Sequence, residues 1–310
     1  MAEILTIISP IFIVIAAGYA AVRLGFLEKA GTDALGRFVL YFAMPSLIVT
    51  TLAEPGLENA IEPLFLVAYG GGSLLMYGLM FALSRGGARD VVSRAGVKSL
   101  GASFSNSAFV GYPLLLLAFD TPPIASFAMA LMFENVVMMP LVLSVLELGA
   151  RQHSTDGPAA TVRMIARRLG TNPIIIAIVI GLALAAFDAR LPAVIAGSLE
   201  LLGKASAGAA LIFVGGSLVS NAIRSNMADI AQIAAAKLIV HPLLVAGMVA
   251  ILPAFDTDLQ RAVVIIAACP MLSIFPILSG KYGFGQLASG ALLATTTLSF
   301  VTISVVLALT

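Results

Sequence analysis

Gly101-Ala102-Ser103-Phe104-Ser105-Asn106-Ser107-Ala108-Phe109-Val110-Gly111-Tyr112-Pro113 is the stretch on which the reading of this chain turns. Its flanks are apolar, its middle sets hydroxyl and amide groups among small residues, and a proline follows. A second stretch, Ala267-Ala268-Cys269-Pro270-Met271-Leu272-Ser273-Ile274-Phe275-Pro276, has the same character. Proline removes a backbone hydrogen bond and clashes one turn back, so a helix through either stretch should be broken or sharply kinked. Both lie inside long apolar runs, and exposed backbone in lipid is tolerated only where protein or a water-filled cavity surrounds it. Proline kinks many membrane helices without consequence. A matched pair of interrupted helices, one in each half of a chain, instead points to a transporter's binding site.

The composition demands a membrane. Of 310 residues, 60% are hydrophobic and 11% charged, with mean hydropathy +1.06; a soluble domain carries about a quarter of its residues as charges. With no Trp, interfacial anchoring falls to 6 Tyr, 17 Phe and the basic residues. A single cysteine, Cys269, excludes an intramolecular disulfide, a cysteine-based zinc site and an iron–sulfur cluster held by this chain alone. The net charge of +1 is spaced between apolar runs, so no nucleic-acid partner is expected. Phosphate-binding Gly-Lys-Ser/Thr loops are absent, which argues against ATP hydrolysis. Ser73 and Ser217 follow glycines but lack the following Gly of a nucleophile elbow, so no enzyme is expected. The apolar run from Ile4 to Val22 follows an N-terminus without a basic region and reads as a first span rather than a cleaved signal.

Hydropathy predicts ten spans, near 4–22, 36–53, 63–83, 98–119, 124–148, 172–188, 199–220, 231–252, 260–280 and 286–309. The seventh holds Ala205-Ser206-Ala207-Gly208-Ala209-Ala210, which marks close helix contact. Fourteen of the 17 Lys and Arg, Lys237 among them, fall in one set of loops, leaving Arg190, Lys204 and Arg261 in the other. The positive-inside bias makes the first set cytoplasmic and puts both termini outside. Residues 151–170 form the longest connection, polar and then basic. A basic juxtamembrane stretch can bind anionic lipid, but a plain linker between halves explains it as well.

Cutting there leaves residues 1–150 and 171–310 with five spans each, and an odd number inverts the second half relative to the first. Ser9-Pro10-Ile11-Phe12-Ile13 and Asn172-Pro173-Ile174-Ile175-Ile176 open the two halves alike, as do Leu35-Gly36 and Leu202-Gly203 the next spans. The two proline stretches above are then the fourth spans of their halves.

The chain resembles the auxin efflux carrier family, bacterial relatives of plant PIN-type auxin carriers and of malonate carriers. The resemblance covers nearly the whole chain. It is carried by Pro10-Ile11-Phe12 with Gly18-Tyr19 and Arg23-Leu24-Gly25, by Pro45, by Asn106 through Pro113, by Asn172-Pro173, and by Pro270 with Tyr282-Gly283. It implies a fold shared with bile acid sodium symporters: an all-α membrane protein of ten transmembrane helices in two inverted five-helix repeats, with broken fourth and ninth helices crossing at mid-membrane. It also implies transport of small organic anions, in a bacterial inner membrane with both termini periplasmic, and a homodimer is the assembly that related carriers suggest.

If the two helices cross, half-helix N-termini with free N–H groups meet there and suit a carboxylate. No Lys or Arg is read as lying mid-span, which agrees with such a site. Candidate ligands are Ser105, Asn106, Gly111 and Tyr112 from one helix and Pro270, Met271 and Ser273 from the other, with Pro113 shaping the first. Glu134-Asn135 lies inside the fifth span, where an ionisable residue costs on the order of 3 kcal/mol; a proton-coupling carboxylate and a packed neutral glutamate are both open readings. His241, beside Pro242, is a second coupling candidate, with a helix-packing hydrogen bond as the plainer reading. No cofactor or metal is expected, and coupling to H+ or Na+ is left open. Asn59, Asn221 and Asn226 read as solvated loop residues. A channel-like facilitator and a ligand-sensing membrane protein are the alternatives to a carrier.

Overall fold

A computed structural model describes residues 2–53, 61–150, 158–219 and 227–310. Asn59, Asn221, Asn226, Arg224 and the polar start of the linker, 151–157, lie outside the described residues. The chain is helical, without strand among the described residues: α1 (Ala2–Arg23), α2 (Lys29–Leu52), α3 (Pro63–Gly86), α4 (Val92–Ser103), α5 (107–118), α6 (Ile124–Ala150), α7 (Pro158–Gly170), α8 (Pro173–Ala186), α9 (Ala193–Ser217, with a turn at Ala205), α10 (Met227–Ile251), α11 (Thr257–Ala268), α12 (Phe275–Gly280) and α13 (Gly285–Leu309).

Eight stretches are long and apolar enough to cross a membrane, counting α4 and α5 as one; a ninth is counted if α7 and α8, bent by 54°, act together. The ninth expected span, near 260–280, falls on α11 and α12, separated by residues 269–274, and neither is long enough alone. The outer surface suits lipid: Ile13, Val179, Leu243 and Val301 are each at least 60% exposed, a pattern that a monomer in water would not tolerate. The α4–α5 stretch is the opposite, with 89% of its most apolar window buried.

Four prolines inside these helices do not break them. Pro45, Pro113, Pro140 and Pro242 each follow, by two residues, a five-residue π-turn: Val39–Ala43, Ser107–Gly111, Glu134–Met138 and Ala236–Val240. The residue before each proline donates its N–H five residues back: Met44 to Val39, Tyr112 to Ser107, Met139 to Glu134 and His241 to Ala236. The extra residue in the turn relieves both proline defects, the missing N–H and the ring's clash with the carbonyl four back. The break in the fourth span therefore falls not at Pro113 but earlier, at Phe104-Ser105-Asn106, where Phe104 turns extended. The ninth breaks across Pro270, as expected, and Pro276 sits in the first turn of α12.

The helices pack in two groups. In one, α1 lies against α9, and α8 and the first half of α9 against α2; in the other, α3, α4, α6 and α10–α13 pack on one another. Backbones touch where glycine allows it. A Cβ on Gly215 would fall 1.9 Å from the Ile15 oxygen, and one on Gly18 would fall 2.3 Å from the Ile212 oxygen. The close contact of the seventh span is thus at Gly215, later than the Ala205–Ala210 run, where Ala205 and Gly208 are exposed.

Candidate functional site

The two breaks meet. The Asn106 N–H donates to the Pro270 oxygen at 2.8 Å, and Asn106 Nδ2 donates to Ser273 Oγ at 2.7 Å. An interrupted helix leaves backbone groups that must find partners elsewhere, and each break here supplies some for the other. Asn106 Oδ1 is buried with no partner among the described residues. One N–H of the Asn106 amide is thus engaged by Ser273, and its oxygen is left as an open acceptor. Met271 reaches the floor of the crossing, its methyl 3.3 Å from where a Cβ on Gly101 would stand.

The serines on either side of Asn106 reach two other helices. Ser107 Oγ donates to Glu134 Oε1 at 2.7 Å, and the Tyr69 hydroxyl donates to the same oxygen. On the other side Ser105 Oγ accepts from Lys237 Nζ at 2.8 Å. Lys237 is fully buried, and its ammonium also meets His241 Nδ1 at 2.8 Å and the Ala267 oxygen at 2.9 Å. With Nδ1 accepting, His241 carries its proton on Nε2, which faces Ser73 Oγ at 3.0 Å. Ser105-Asn106-Ser107 thus ties α10, the second break and α6 to one point.

A cleft of about 470 Å³ opens between the two helix groups and ends beside this point. One wall is Leu40, Phe213 and Ile174 from α2, α9 and α8; the other is Phe104, Phe109, Leu131 and Leu272 around the breaks. Its polar groups are few: Glu134 and Asn135 from α6, Asp33 and Arg37 from α2, Arg168 from α7, and Thr171 and Asn172. Asn172 Nδ2 donates to Asn135 Oδ1 at 2.8 Å, which fixes the start of α8 against α6. Among the described residues neither Arg37 nor Arg168 is ion-paired. The start of a helix leaves its first N–H groups without intrahelical partners; for α5 these belong to Ser107, Ala108 and Phe109, and the last two line the cleft.

Of the residues expected at a site, Ser105, Asn106, Pro270 and Ser273 are brought together, with Met271 alongside. Glu134 and Asn135 form part of the cleft, and His241 sits behind Lys237. Gly111, Tyr112 and Pro113 lie within α5, buried and away from the cleft; Tyr112 packs on Phe127 with ring centroids 5.2 Å apart. Lys237 is the principal correction. It does not belong to a loop but stands near the middle of α10, so one cation does lie mid-span. Its signal was present: a lysine inside the apolar run 231–252, four residues before His241 and hence on the same helix face.

Away from the cleft, α4 and α10 are clamped at their starts. Lys98, fully buried, reaches Asp90 at 3.1 Å and Asp229 at 2.9 Å, and Arg94 pairs with the same two carboxylates. Tyr282 donates to Glu147 at 2.7 Å, tying the end of α12 to α6.

An apolar exterior around a cleft that ends at two interrupted helices defines an all-helical multi-pass membrane protein. The chain belongs to the family described as Membrane transport protein, whose model matches residues 3–307, and the resemblance read from the motifs is borne out. It is 27% identical over 305 residues to the "Putative malonate transporter" of Rhizobium meliloti (strain 1021), across 98% of this chain and 95% of that protein. It is also 24% identical over 280 residues to the "Lysosomal cholesterol signaling protein" of Mus musculus, across 87% of this chain and 32% of that relative's length.

Proposed function

We propose that this protein is a secondary carrier that moves a small organic anion, a mono- or dicarboxylate, by alternating access. The observation that carries the reading is the cleft between the two helix groups, apolar-walled, closed at the crossing and lined by two arginines without an ion-pair partner among the described residues. A substrate carboxylate would find Arg37 and Arg168 toward one end and the free N–H groups opening α5 toward the other, positive partial charge without a desolvated ion pair. The cleft also presents Glu134, which repels an anion while ionised. Binding of the anion together with a proton on Glu134 is the arrangement that removes this conflict, and it makes proton coupling the favoured form. Small-solute sites in carriers of this type lie where broken helices meet, and one helix group shifts against the other around them.

In this reading α11 and α12 together form one span and α8 forms another, which completes ten. Residues 1–150 and 171–310 are then inverted repeats joined by the basic segment 151–170. With Lys237 withdrawn from the loop count, thirteen basic residues remain on one side against three, and both termini lie outside a bacterial inner membrane. Arg37 and Arg168 belong to the cytoplasmic set, so the cleft opens inward. The relative named for malonate supports a dicarboxylate as the first substrate to try.

The test is flux. Reconstituted protein should show saturable uptake or counterflow of labelled malonate or an aromatic monocarboxylate, lost in Asn106→Ala. A ligand-sensing role, which the name of the mouse relative favours, predicts binding without flux; conductances far above carrier turnover would indicate a channel.

A further inference from the structure

Lys237 is the one described Lys or Arg whose side chain is enclosed at the crossing itself, and its surroundings are those of a bound cation. Three acceptors from three segments converge on Nζ at 2.8–2.9 Å: Ser105 Oγ from the first break, His241 Nδ1 from α10, and the Ala267 oxygen from the last turn of α11. An ammonium has three N–H donors, and here each has an acceptor. The Ala267 carbonyl is one of the four that a helix end leaves without intrahelical partners, at the negative end of the α11 dipole. Unwound carbonyls and half-helix C-terminal ends are the groups that hold the coupling cation in carriers with broken helices. The titratable groups that face Lys237 are His241 on its own helix, Glu134 on α6 and Cys269 on the second break, with Tyr69 of α3 bonded to Glu134 and beside the His241 ring.

We infer that the Lys237 ammonium is a tethered cation occupying the place of a coupling sodium ion, so that the crossing is assembled without Na+. The inference rests on the carrier reading for its meaning in transport, but the shell around Nζ stands by itself. It assigns α10 a further role. The shell binds through an ammonium that never leaves, so the two breaks stay joined throughout the transport cycle, and a mobile cation, if one is coupled, must act at Glu134.

The experiment is thermal unfolding of the purified full-length protein in choline, sodium or methylammonium chloride at equal ionic strength. The wild type should melt within about 1 °C in all three. Lys237→Ala should melt about 5–10 °C lower in choline, as expected for a stripped buried charge site. It should regain part of that loss in methylammonium, progressively with concentration, because the ion fits the vacated shell. Lys237→Met, which fills the volume without charge, should be lowered and gain nothing from methylammonium. The inference is overturned if sodium stabilises the wild type over choline, or if folded Lys237→Ala melts alike in all three salts. Should neither variant fold, the wild-type comparison still decides. No flux of any carboxylate alongside the expected melting pattern would sink the carrier reading and leave the Lys237 shell intact.

Discussion

The two broken helices do the same job by different means. The first break, 104–106, is short and has no proline in it; it is held open by side chains, with Ser105 on Lys237, Asn106 on Ser273 and Ser107 on Glu134. The second, 269–274, is twice as long, contains Pro270, and contributes mostly backbone: the oxygens of Pro270 and, just before it, Ala267. One break is specified by recognition chemistry and the other by covalent stiffness. Their sensitivities to substitution should differ accordingly.

Asn106→Ala should have the largest effect. It removes the only side-chain bond between the two breaks among the described residues and strands Ser273 Oγ, at a cost of about 1–3 kcal/mol. Transport should fall by two orders of magnitude or more, read as initial uptake in proteoliposomes. Glu134→Gln comes next: the amide oxygen still accepts from Tyr69 and Ser107, so folding and exchange should survive while dependence on a pH gradient disappears. Retained pH-driven accumulation in that variant would move coupling elsewhere. Ser273→Ala, whose partner amide is left with no acceptor, should cost about 1 kcal/mol and lower flux without abolishing it. Pro113→Ala is the smallest and sharpens the comparison most. Because a π-turn already accommodates Pro113, stability should change by less than about 1 kcal/mol and flux should persist, whereas Pro270→Ala should impair it. Loss of flux in Pro113→Ala equal to that in Pro270→Ala would mean that proline, not the Ser-Asn-Ser side chains, holds the first break.

Hydropathy found nearly every membrane-crossing segment but began several too late. It opened the second span at 36, whereas α2 starts at Lys29; its first turns carry Lys29, Asp33 and Arg37, which a hydropathy window scores as loop. The fourth and eighth spans slipped for the same reason at Val92 and Met227. The paired proline stretches led to the correct two segments, because interrupted helices need small, polar and proline residues together. The same rule misplaced the first break, since no hydropathy or propensity signal announces a π-turn ahead of proline. Individual members of the cleft and of the cluster beneath it, Glu134, Asn135 and His241, stood out as polar residues inside apolar runs, but their pairing was not legible. Tyr69 and Glu134, or Ser73 and His241, are joined only by packing across distant segments, and counting loop charges absorbed Lys237, Arg37 and Arg168 alike. A sequence pattern reports what one helix does to itself; the site is made of what four helices do to each other.

The central claim is that the cleft ending beside the crossing, at Phe104 and Glu134, is the path of an organic anion. It is tested most directly by counterflow of labelled malonate in proteoliposomes, with wild type and Asn106→Ala run side by side and an aromatic monocarboxylate as the second substrate. Saturable counterflow in the wild type that vanishes in a correctly folded Asn106→Ala is the expected result. No movement of either anion, or equal movement by both proteins, would contradict it.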